Sequence, residues 1–281
     1  MDIIRVIQKI AGLLFGSIFR GLRRLVFHVL SAGVVPEHVA FILDGNRRFA
    51  KKKKLPNETG YRAGFLALMC MLKYCHELGV RRVTLFIFSI DNFNRDPREV
   101  RFLMDLMLGK VEAMLKYENV LNKYGVRVVF LGNLSLLEEP LRAAAERAMD
   151  ATGSNSGMVL FVCVAYASSD EMVRAARACC LEKRQELESS KDERAGDVTV
   201  ADIERNMMWT ELGREPDIIV RTAGANRLSN FLMWQTGNTM LYTTRALFPE
   251  IGLRHLVWAV LKFQRAQPFL HKIRVPSAMM T

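Results

Sequence analysis

The stretch at residues 39–48, which reads V-A-F-I-L-D-G-N-R-R, decides the fold of this chain. Its first five residues are apolar, and Val39 and Ile42 are β-branched, as in a short parallel strand that is covered on both faces. The apolar run ends at Asp44, which is followed by a glycine, an asparagine and two arginines. Open α/β sheets bind ligands at the carboxyl ends of their strands, so we expect a binding site to begin at Asp44.

The rest of the chain alternates predicted strands with predicted helices. Apolar runs predict further strands at residues 83–88, 126–131, 158–165, 217–221 and 239–242. Helical periodicity and capping signals predict helices at residues 60–78, 97–124 and 253–267, and others that begin near Pro140 and Ser169. Residues 51–54, four lysines, are predicted to lie in a loop. The alternation indicates an α/β fold, a single domain with a central, mostly parallel six-stranded sheet flanked by helices.

The composition is that of an ordinary globular protein, with 281 residues of which 50% are hydrophobic and 25% charged. The net charge of +11 predicts an anionic partner: phosphates, nucleic acid or an anionic membrane surface. The five cysteines form no CxxC pair and several lie in apolar runs, so buried free thiols in a reducing compartment are expected. The histidines lack metal-ligand spacing, and no structural zinc site is expected.

Residues 1–30 are predicted to form an amphipathic, membrane-associating helix. Arg5, Lys9, Gly12, Gly16, Arg20 and Arg23 recur at spacings of three and four and leave an apolar face of Ile3, Val6, Ile7, Ile10, Leu14 and Phe15. The longest uncharged run, residues 10–19, is too short to span a bilayer, so the pattern favours a helix that lies in the membrane interface. Packing on the chain's own body and a role as a targeting peptide are the alternatives.

Charged side chains follow three of the predicted strands, at residues 44–48, 89–95 and 221–229. Because these strands are parallel, we expect the three segments to share one rim of the sheet. The rim would hold two carboxylates and five arginines: Asp44, Asp91, Arg47, Arg48, Arg95, Arg221 and Arg227. Arginine forks bind phosphate oxygens, and one carboxylate with a diphosphate is a natural Mg²⁺ site. Each arginine alone is more simply a solvated surface residue, but five at three strand ends predict diphosphate chemistry.

The helices behind this rim are rich in large apolar residues and methionine. They carry Phe65, Leu66, Met69, Leu72, Phe102, Leu103, Leu106, Met107 and Met114. These residues form either an ordinary core or the flexible wall of a tunnel for an apolar chain, and the sequence pattern is compatible with both.

The chain resembles the cis-prenyltransferases over residues 36–265, through three motifs in the order that the family has them. The motifs are H-V-A-F-I-L-D-G-N-R-R-F-A-K-K from residue 38, F-S-I-D-N-F-N-R from residue 88 and R-T-A-G-A-N-R-L-S-N-F-L-M-W-Q-T from residue 221. The family includes undecaprenyl and dehydrodolichyl diphosphate synthases and the plant rubber-type enzymes. The segment L-R-H-L-V-W-A-V-L-K-F-Q-R from residue 253 is similar to the plant members.

The resemblance implies a catalytic domain at residues 36–270 with an elongated apolar tunnel. It implies condensation of isopentenyl diphosphate onto an allylic diphosphate, such as farnesyl diphosphate, with Mg²⁺ as cofactor and a long-chain cis-polyprenyl diphosphate as product. Asp44 is implied to hold the metal and Asn92 to abstract the proton. The implied substrate-binding residues are Gly45, Asn46, Arg47, Arg48, Phe49, Asn57, Tyr61, Ser89, Asp91, Phe93, Arg95, Arg221, Arg227 and Ser229, and the last three match the clamp for isopentenyl diphosphate.

The sequence departs from the family pattern at three places. Tyr61 stands where the family usually has histidine, and Ala225 stands where it has a metal-assisting glutamate. After Arg265 there is no Arg-x-Gly motif, and residues 271–281 are expected to form a C-terminal tail. We therefore expect an accessory subunit to complete the site in a heteromer, with a homodimer as the alternative. The expected location is the cytosolic face of the endoplasmic reticulum membrane, as a peripheral protein.

Two other functions remain as hypotheses. The chain could be a weakly active or non-catalytic scaffold subunit, because Tyr61 and Ala225 depart from the family pattern, although a scaffold has no chemical need for Asp44, Asn92 and Arg95. A nucleic-acid binder is suggested only by the net charge and the lysine run. No recognition motif supports it, so no nucleic-acid partner is predicted.

Overall fold

In the computed structural model, which describes residues 19–189, 197–208 and 215–273, six strands form one sheet. The strands are β1 His38–Ile42, β2 Arg82–Ser89, β3 Arg127–Leu131, β4 Val159–Tyr166, β5 Ile218–Arg221 and β6 Met240–Thr243, in the spatial order β3-β4-β2-β1-β5-β6. Every pairing among these strands is parallel. The predicted α/β domain and its strands are confirmed, and the sheet is parallel throughout the described residues rather than mostly so.

β1 lies inside the sheet, and all five of its residues are buried. It pairs with β2 on one side and with β5 on the other, so that Ile42 is next to Phe86 and to Arg221. The segments that follow these three strands therefore leave the same edge of the sheet side by side. This topology brings the motifs at residues 44–48, 89–95 and 221–229 together.

Helices cover both faces of the sheet. They are α1 at residues 19–30, α2 Asn46–Lys53, α3 Asn57–Leu78, α4 Pro97–Lys116, α5 Glu118–Lys123, α6 Glu139–Thr152, α7 Ser168–Ser189, α8 Val200–Arg205 and α9 Leu253–Ile273. The larger apolar core packs α3, α4, α6 and α9 on one face, and Phe27 and Leu30 of α1 join it. The smaller core lies on the other face and contains Phe231 and Leu232.

The prediction of a loop at the lysine run is wrong. Lys51, Lys52 and Lys53 form the last turn of α2, where positive charges compensate the negative end of the helix dipole. The helix stops at Lys54, which adopts a left-handed conformation with φ of 56° and donates its N–H to carbonyls of the preceding turn. The α2 helix begins at Asn46, directly after Asp44 and Gly45 in the sequence.

The predicted helix at residues 97–124 is divided in two. It is interrupted at Tyr117, whose φ of −109° and ψ of 31° leave the helical region, and whose N–H is shared between the carbonyls of Ala113 and Met114. The closing helix, α9, reaches Ile273, beyond the predicted end at residue 267. The extension of α9 is at a helix end, where apolar periodicity carries the weakest signal.

The cysteines are free, as predicted, with Cys75, Cys163 and Cys179 buried and Cys70 and Cys180 exposed. No helix in the described ranges has the length and hydropathy to cross a bilayer. The predicted N-terminal helix is present from residue 19 to residue 30, whereas residues 1–18 lie outside the described residues. Residues 274–281 of the predicted tail lie outside them as well, and the domain boundaries stay predictions.

Candidate active site

A cavity of about 1110 Å³ opens at the carboxyl edge of β1, β2 and β5. Most of the predicted site residues line it: Asp44, Gly45, Asn46, Arg47, Arg48, Tyr61, Ser89, Asp91, Asn92, Arg95, Arg221, Arg227 and Ser229. The parallel topology therefore brings both carboxylates and all five predicted arginines to one opening, as expected from the strand ends.

Asp44 is held between two arginines. Its Oδ2 lies 3.0 Å from Arg221 Nη2, and its Oδ1 lies 3.1 Å from Arg48 Nη2. Arg221 is almost fully buried, whereas the Asp44 carboxylate is 31% exposed and faces the cavity. The buried guanidinium of Arg221 fixes the orientation of the Asp44 carboxylate and leaves the carboxylate accessible to a ligand in the cavity.

The backbone around Asp44 is fixed by Thr222 and Gly45. Thr222 Oγ1 accepts a hydrogen bond from Asp44 N at 2.9 Å and donates one to Asp44 O at 2.6 Å. Gly45 adopts φ of 111°, and a Cβ there would meet Leu247 and Ala223 at 3.0 and 3.1 Å. Only glycine suits this turn, which directs the chain from β1 into α2.

A loop clamp follows β5. Arg221 Nη1 donates to the carbonyl of Arg227 at 2.6 Å and to Ser229 Oγ at 2.7 Å, and Arg227 Nε also donates to Ser229 Oγ at 3.2 Å. One buried guanidinium thus joins Asp44 to the predicted isopentenyl clamp. Arg221 Nε is buried and has no hydrogen-bond partner among the described residues.

The segment after β2 forms a 3₁₀ turn, Ile90–Asn94, closed by its own side chains. Ser89 Oγ accepts from Asp91 N, and Asn92 Oδ1 accepts from Ser89 N, each at 3.2 Å. These reciprocal bonds fix Asn92 at the cavity wall. Phe93 lies outside the lining and packs edge-on against Phe88 at 4.9 Å.

Glu99 was not found by sequence analysis, although it joins three of the predicted residues. Tyr61 Oη donates to Glu99 Oε1 at 2.6 Å, Arg95 Nη1 donates to the same oxygen at 3.0 Å, and Arg47 Nη1 reaches Glu99 Oε2 at 3.5 Å. Glu99 follows Arg95 by four residues in the first turn of α4, and this i,i+4 spacing was the available signal.

The Glu99 cluster also shifts two pKa values. Burial and the hydrogen bond to Glu99 raise the pKa of Tyr61 well above its usual value. Burial acts to raise the pKa of Glu99, but the Tyr61 hydrogen bond and the charges of Arg47 and Arg95 together lower it. At neutral pH the cluster therefore contains a neutral phenol, a carboxylate and two guanidinium groups.

Behind this charged opening the cavity is deep and mostly apolar, although Lys73, His76, Glu77 and Lys110 also line it. Of the residues considered for a tunnel wall, Phe65, Met69, Leu72, Leu103, Leu106, Met107 and Met114 line it. Leu66 is 68% exposed, and Phe102 is not part of the lining. Tyr61 and His76, both lining residues on α3, are fifteen residues apart, which corresponds to a depth of about 22 Å along the helix.

Phe49, Asn57 and Phe93 are predicted site residues that the structure does not bring to the cavity. Asn57 is the exposed first residue of α3, and Phe49 lies on α2 away from the lining. Their implied roles stay predictions. Within the described ranges there is no group of three or more His, Cys, Asp or Glu side chains that could hold a metal ion.

Comparisons with known proteins point to one enzyme family. A family model described as putative undecaprenyl diphosphate synthase matches residues 42–269. Dehydrodolichyl diphosphate synthase 6 of Arabidopsis thaliana is 49% identical over 265 residues, which cover 89% of this chain and 90% of the relative. The dehydrodolichyl diphosphate synthase complex subunit of Homo sapiens is 36% identical over 251 residues, covering 89% of this chain and 74% of that protein.

A solved structure shares the fold. Lavandulyl diphosphate synthase from Lavandula x intermedia, in complex with dimethylallyl diphosphate, superposes with a TM-score of 0.75 at 29% identity and covers 82% of this chain and 95% of its own. The match of the family model spans most of the chain and includes the second and third motifs and the first motif from Ile42 onward. The chain therefore belongs to the cis-prenyltransferase family of prenyl-transferring enzymes.

Proposed function

We propose that this chain condenses isopentenyl diphosphate onto an allylic diphosphate, such as farnesyl diphosphate, and makes a long-chain cis-polyprenyl diphosphate of the dehydrodolichyl type. The observation that carries the proposal is the arrangement of Asp44 and five arginines at the opening of a deep apolar cavity. Charged groups at the opening suit two diphosphates, and the apolar wall suits a growing hydrocarbon chain. The name of the Arabidopsis relative supports the type of product.

The allylic diphosphate would bind at the first turn of α2. This helix begins at Asn46 without a side-chain cap, so its first N–H groups are available to an anion, and Arg47 and Arg48 stand beside them. As the allylic carbon–oxygen bond breaks, negative charge accumulates on the leaving diphosphate. The arginines and the helix N-terminus stabilise that charge, and the apolar cavity excludes water from the allylic cation.

The isopentenyl diphosphate would bind at Arg221, Arg227 and Ser229, next to Asp44. Its double bond attacks the allylic carbon, a carbon–carbon bond forms, and one proton leaves the isopentenyl unit. Asn92, whose side chain is fixed at the cavity wall, is proposed to assist removal of this proton, and the diphosphate released from the allylic substrate accepts it. The product then lies along the apolar cavity and can accept another unit.

The residues present fit Mg²⁺ when diphosphate is bound. Asp44 presents a partly exposed carboxylate at the cavity, and Mg²⁺ commonly binds one carboxylate together with substrate phosphate oxygens. Asn46 Oδ1, a neighbouring buried oxygen, has no hydrogen-bond partner in the described part of the chain. When bound, the ion would neutralise charge on the leaving diphosphate.

A heteromeric, membrane-associated assembly is part of the proposal. The human relative is named as a subunit of a complex, which supports an accessory subunit for this chain. Phe19, Leu22, Leu25 and Val29 of α1 are more than half exposed, and Arg24 lies on the same helix. An exposed apolar stripe with basic residues suits peripheral binding to anionic lipid, here proposed for the cytosolic face of the endoplasmic reticulum.

The test is prenyl transfer by the purified chain, with and without a candidate accessory subunit. Farnesyl diphosphate, radiolabelled isopentenyl diphosphate and Mg²⁺ are supplied, and labelled polyprenyl product is measured. Asp44→Ala should abolish product, whereas Asp150→Ala, which removes an exposed carboxylate on α6, should not. Absence of product from the folded wild-type chain in both preparations would favour the alternative, a scaffold subunit.

A further inference from the structure

The loop that carries Arg227 and Ser229 is fastened to the first turn of α7. We propose that Asn230, which is outside the cavity lining, is the positioning residue that holds this loop and thereby the clamp for the second diphosphate. The inference rests on the proposed function, since it concerns the same site, but it assigns a role to a residue that touches neither substrate.

Asn230 makes three hydrogen bonds to the start of α7. Its carbonyl accepts from Ser168 N at 2.8 Å, its Oδ1 accepts from Ser169 N at 2.9 Å, and its Nδ2 donates to Ser169 Oγ at 2.8 Å. The first N–H groups of a helix have no partner inside the helix, and here the loop supplies two of the acceptors. In addition, Ser168 Oγ of α7 accepts a hydrogen bond from Met233 N of the loop at 3.0 Å.

The loop needs such an anchor because of its backbone. Ser229, Asn230 and Leu232 all have positive φ, at 54°, 59° and 46°. Residues other than glycine rarely adopt this conformation unless surrounding contacts impose it, and asparagine tolerates it best. Between them Phe231 is fully buried and stacks on Phe86 with ring centroids 4.6 Å apart. The path of the loop is thus set by packing on one side and by Asn230 on the other.

The anchor is coupled to the site through adjacent residues. Ser229, the residue before Asn230, accepts hydrogen bonds from both Arg221 and Arg227, and Arg221 holds Asp44. A displacement of the backbone at residue 230 would move Ser229 Oγ and change the partners of Arg221. Asn230 therefore acts on substrate binding through Ser229, without contact with the ligand.

Two variants of Asn230 distinguish the effect of its side-chain hydrogen bonds from the effect of its backbone conformation, and a third variant is the control. Asn230→Gly removes the side chain but permits positive φ, and Asn230→Asp retains the acceptor for Ser169 N at a helix N-terminus, where negative charge is favourable. Thr236→Ala is the matched control, because it removes an exposed bond from Oγ1 to Met233 O in the same segment. Steady-state kinetics give kcat and the KM of each substrate, and titration calorimetry gives the affinity for pyrophosphate.

Asn230→Gly should raise the KM for isopentenyl diphosphate about tenfold, with kcat and the KM for the allylic substrate changed less than about threefold. Asn230→Asp and Thr236→Ala should behave as wild type. Ser169→Ala, which removes one of the three bonds, should give a smaller rise in the same KM and serves if the glycine variant does not fold.

An unchanged KM in both Asn230→Gly and Ser169→Ala would overturn the inference. An equal rise in the KM for isopentenyl diphosphate and in the KM for the allylic substrate would also overturn it, because only a general loss of structure affects both substrates alike. Failure of the proposed function is separable: the wild-type chain would then make no product, while pyrophosphate binding would still report on the clamp. In that case weaker pyrophosphate binding by Asn230→Gly supports the anchor, and unchanged binding rejects it.

Discussion

Asp44 Oδ2 and Arg221 Nη2 lie 3.0 Å apart, and the arginine is 3% exposed while the carboxylate is 31% exposed. The pair is therefore asymmetric: a fixed, buried cation supports an accessible anion. Arg221 makes further bonds to the carbonyl of Arg227 and to Ser229, so one side chain sets the geometry on both sides of the opening. Residues that bind the two diphosphates in the proposed reaction share this single support.

Replacement of Arg221 by lysine should lower kcat/KM by at least about 100-fold, because one ammonium group cannot serve all three partners of the planar guanidinium at once. Loss of these bonds should also lower the free energy of unfolding by about 1–3 kcal/mol. Kinetics and urea denaturation measure the two effects. Arg205→Lys, on the exposed surface of α8, is the control, and a kcat/KM within twofold of wild type for Arg221→Lys would contradict the prediction.

Glu99→Gln should reduce the acid sensitivity of folding. The pKa of Glu99 is lowered in the folded chain, since the Tyr61 hydrogen bond and the two arginines outweigh burial. Folding therefore favours the ionised form: the stabilisation is present above the ordinary pKa of 4.5 and is lost as the pH falls through the lower folded value. Melting temperatures between about pH 3 and pH 7 should fall less steeply on acidification for Glu99→Gln than for wild type. Parallel curves would argue against this ionisation linkage.

Tyr61→His should add a pH dependence to prenyl transfer. The pKa of Tyr61 is raised by burial and by Glu99, so the phenol stays neutral throughout the physiological range, whereas an imidazole titrates near pH 6.5. The ring would face Glu99, Arg95 and Arg47. The profile of kcat/KM should be flatter for wild type than for Tyr61→His between about pH 6 and pH 8. Tyr61→Phe, which removes the donor without adding a titrating group, is the control and should keep the wild-type shape.

Ala225→Glu should lower the Mg²⁺ concentration required for half-maximal activity by about threefold or more, because a second carboxylate would join Asp44 near the diphosphates. Ala225 is partly buried in the turn after β5, close in sequence to Arg221 and Arg227. Metal titrations at saturating substrate measure the shift. Ala225→Gln matches the size of the new side chain without its charge. An unchanged metal requirement in Ala225→Glu would show that this position does not assist metal binding.

The double variant Leu22→Glu/Leu25→Glu should weaken binding to anionic vesicles by at least about tenfold, because it places two charges on the exposed apolar stripe of α1. Flotation with vesicles of phosphatidylcholine alone and with added phosphatidylserine separates apolar from electrostatic contributions. Val200→Glu changes an equally exposed apolar residue on α8 and serves as the control. Equal flotation of wild type and the double variant would show that the exposed stripe of α1 does not contribute to membrane binding.

Much of the site was accessible from the sequence because of a simple geometric rule. An apolar strand at residues 39–43 that ends in Asp44, and two others that end in Ser89 and Arg221, must meet at one edge if all are parallel. The rule requires only the strand positions and their shared direction. Apolar periodicity gives the first, and the alternation of strands with helices gives the second.

Details that depend on partners distant in sequence were not accessible. The start of α2 at Asn46 depends on the turn at Gly45 against Leu247, and the lysines that follow carry no helical apolar pattern. Leu66 satisfies the apolar periodicity of α3 but is exposed, because periodicity identifies an apolar stripe without showing which edge of it finds a packing partner.

The sequence by itself determined the parallel α/β sheet, the three motifs at its carboxyl edge and the likeness to one enzyme family. Only the tertiary structure decided that Glu99 joins Tyr61 to Arg95 and Arg47, and that Asn230 fastens the loop of Ser229 to α7. Local sequence patterns predict strands and helices because residues that are close together in the sequence determine these elements. Hydrogen bonds between residues far apart in the sequence, such as Ser169 and Asn230, which are 61 residues apart, form only when the chain has folded.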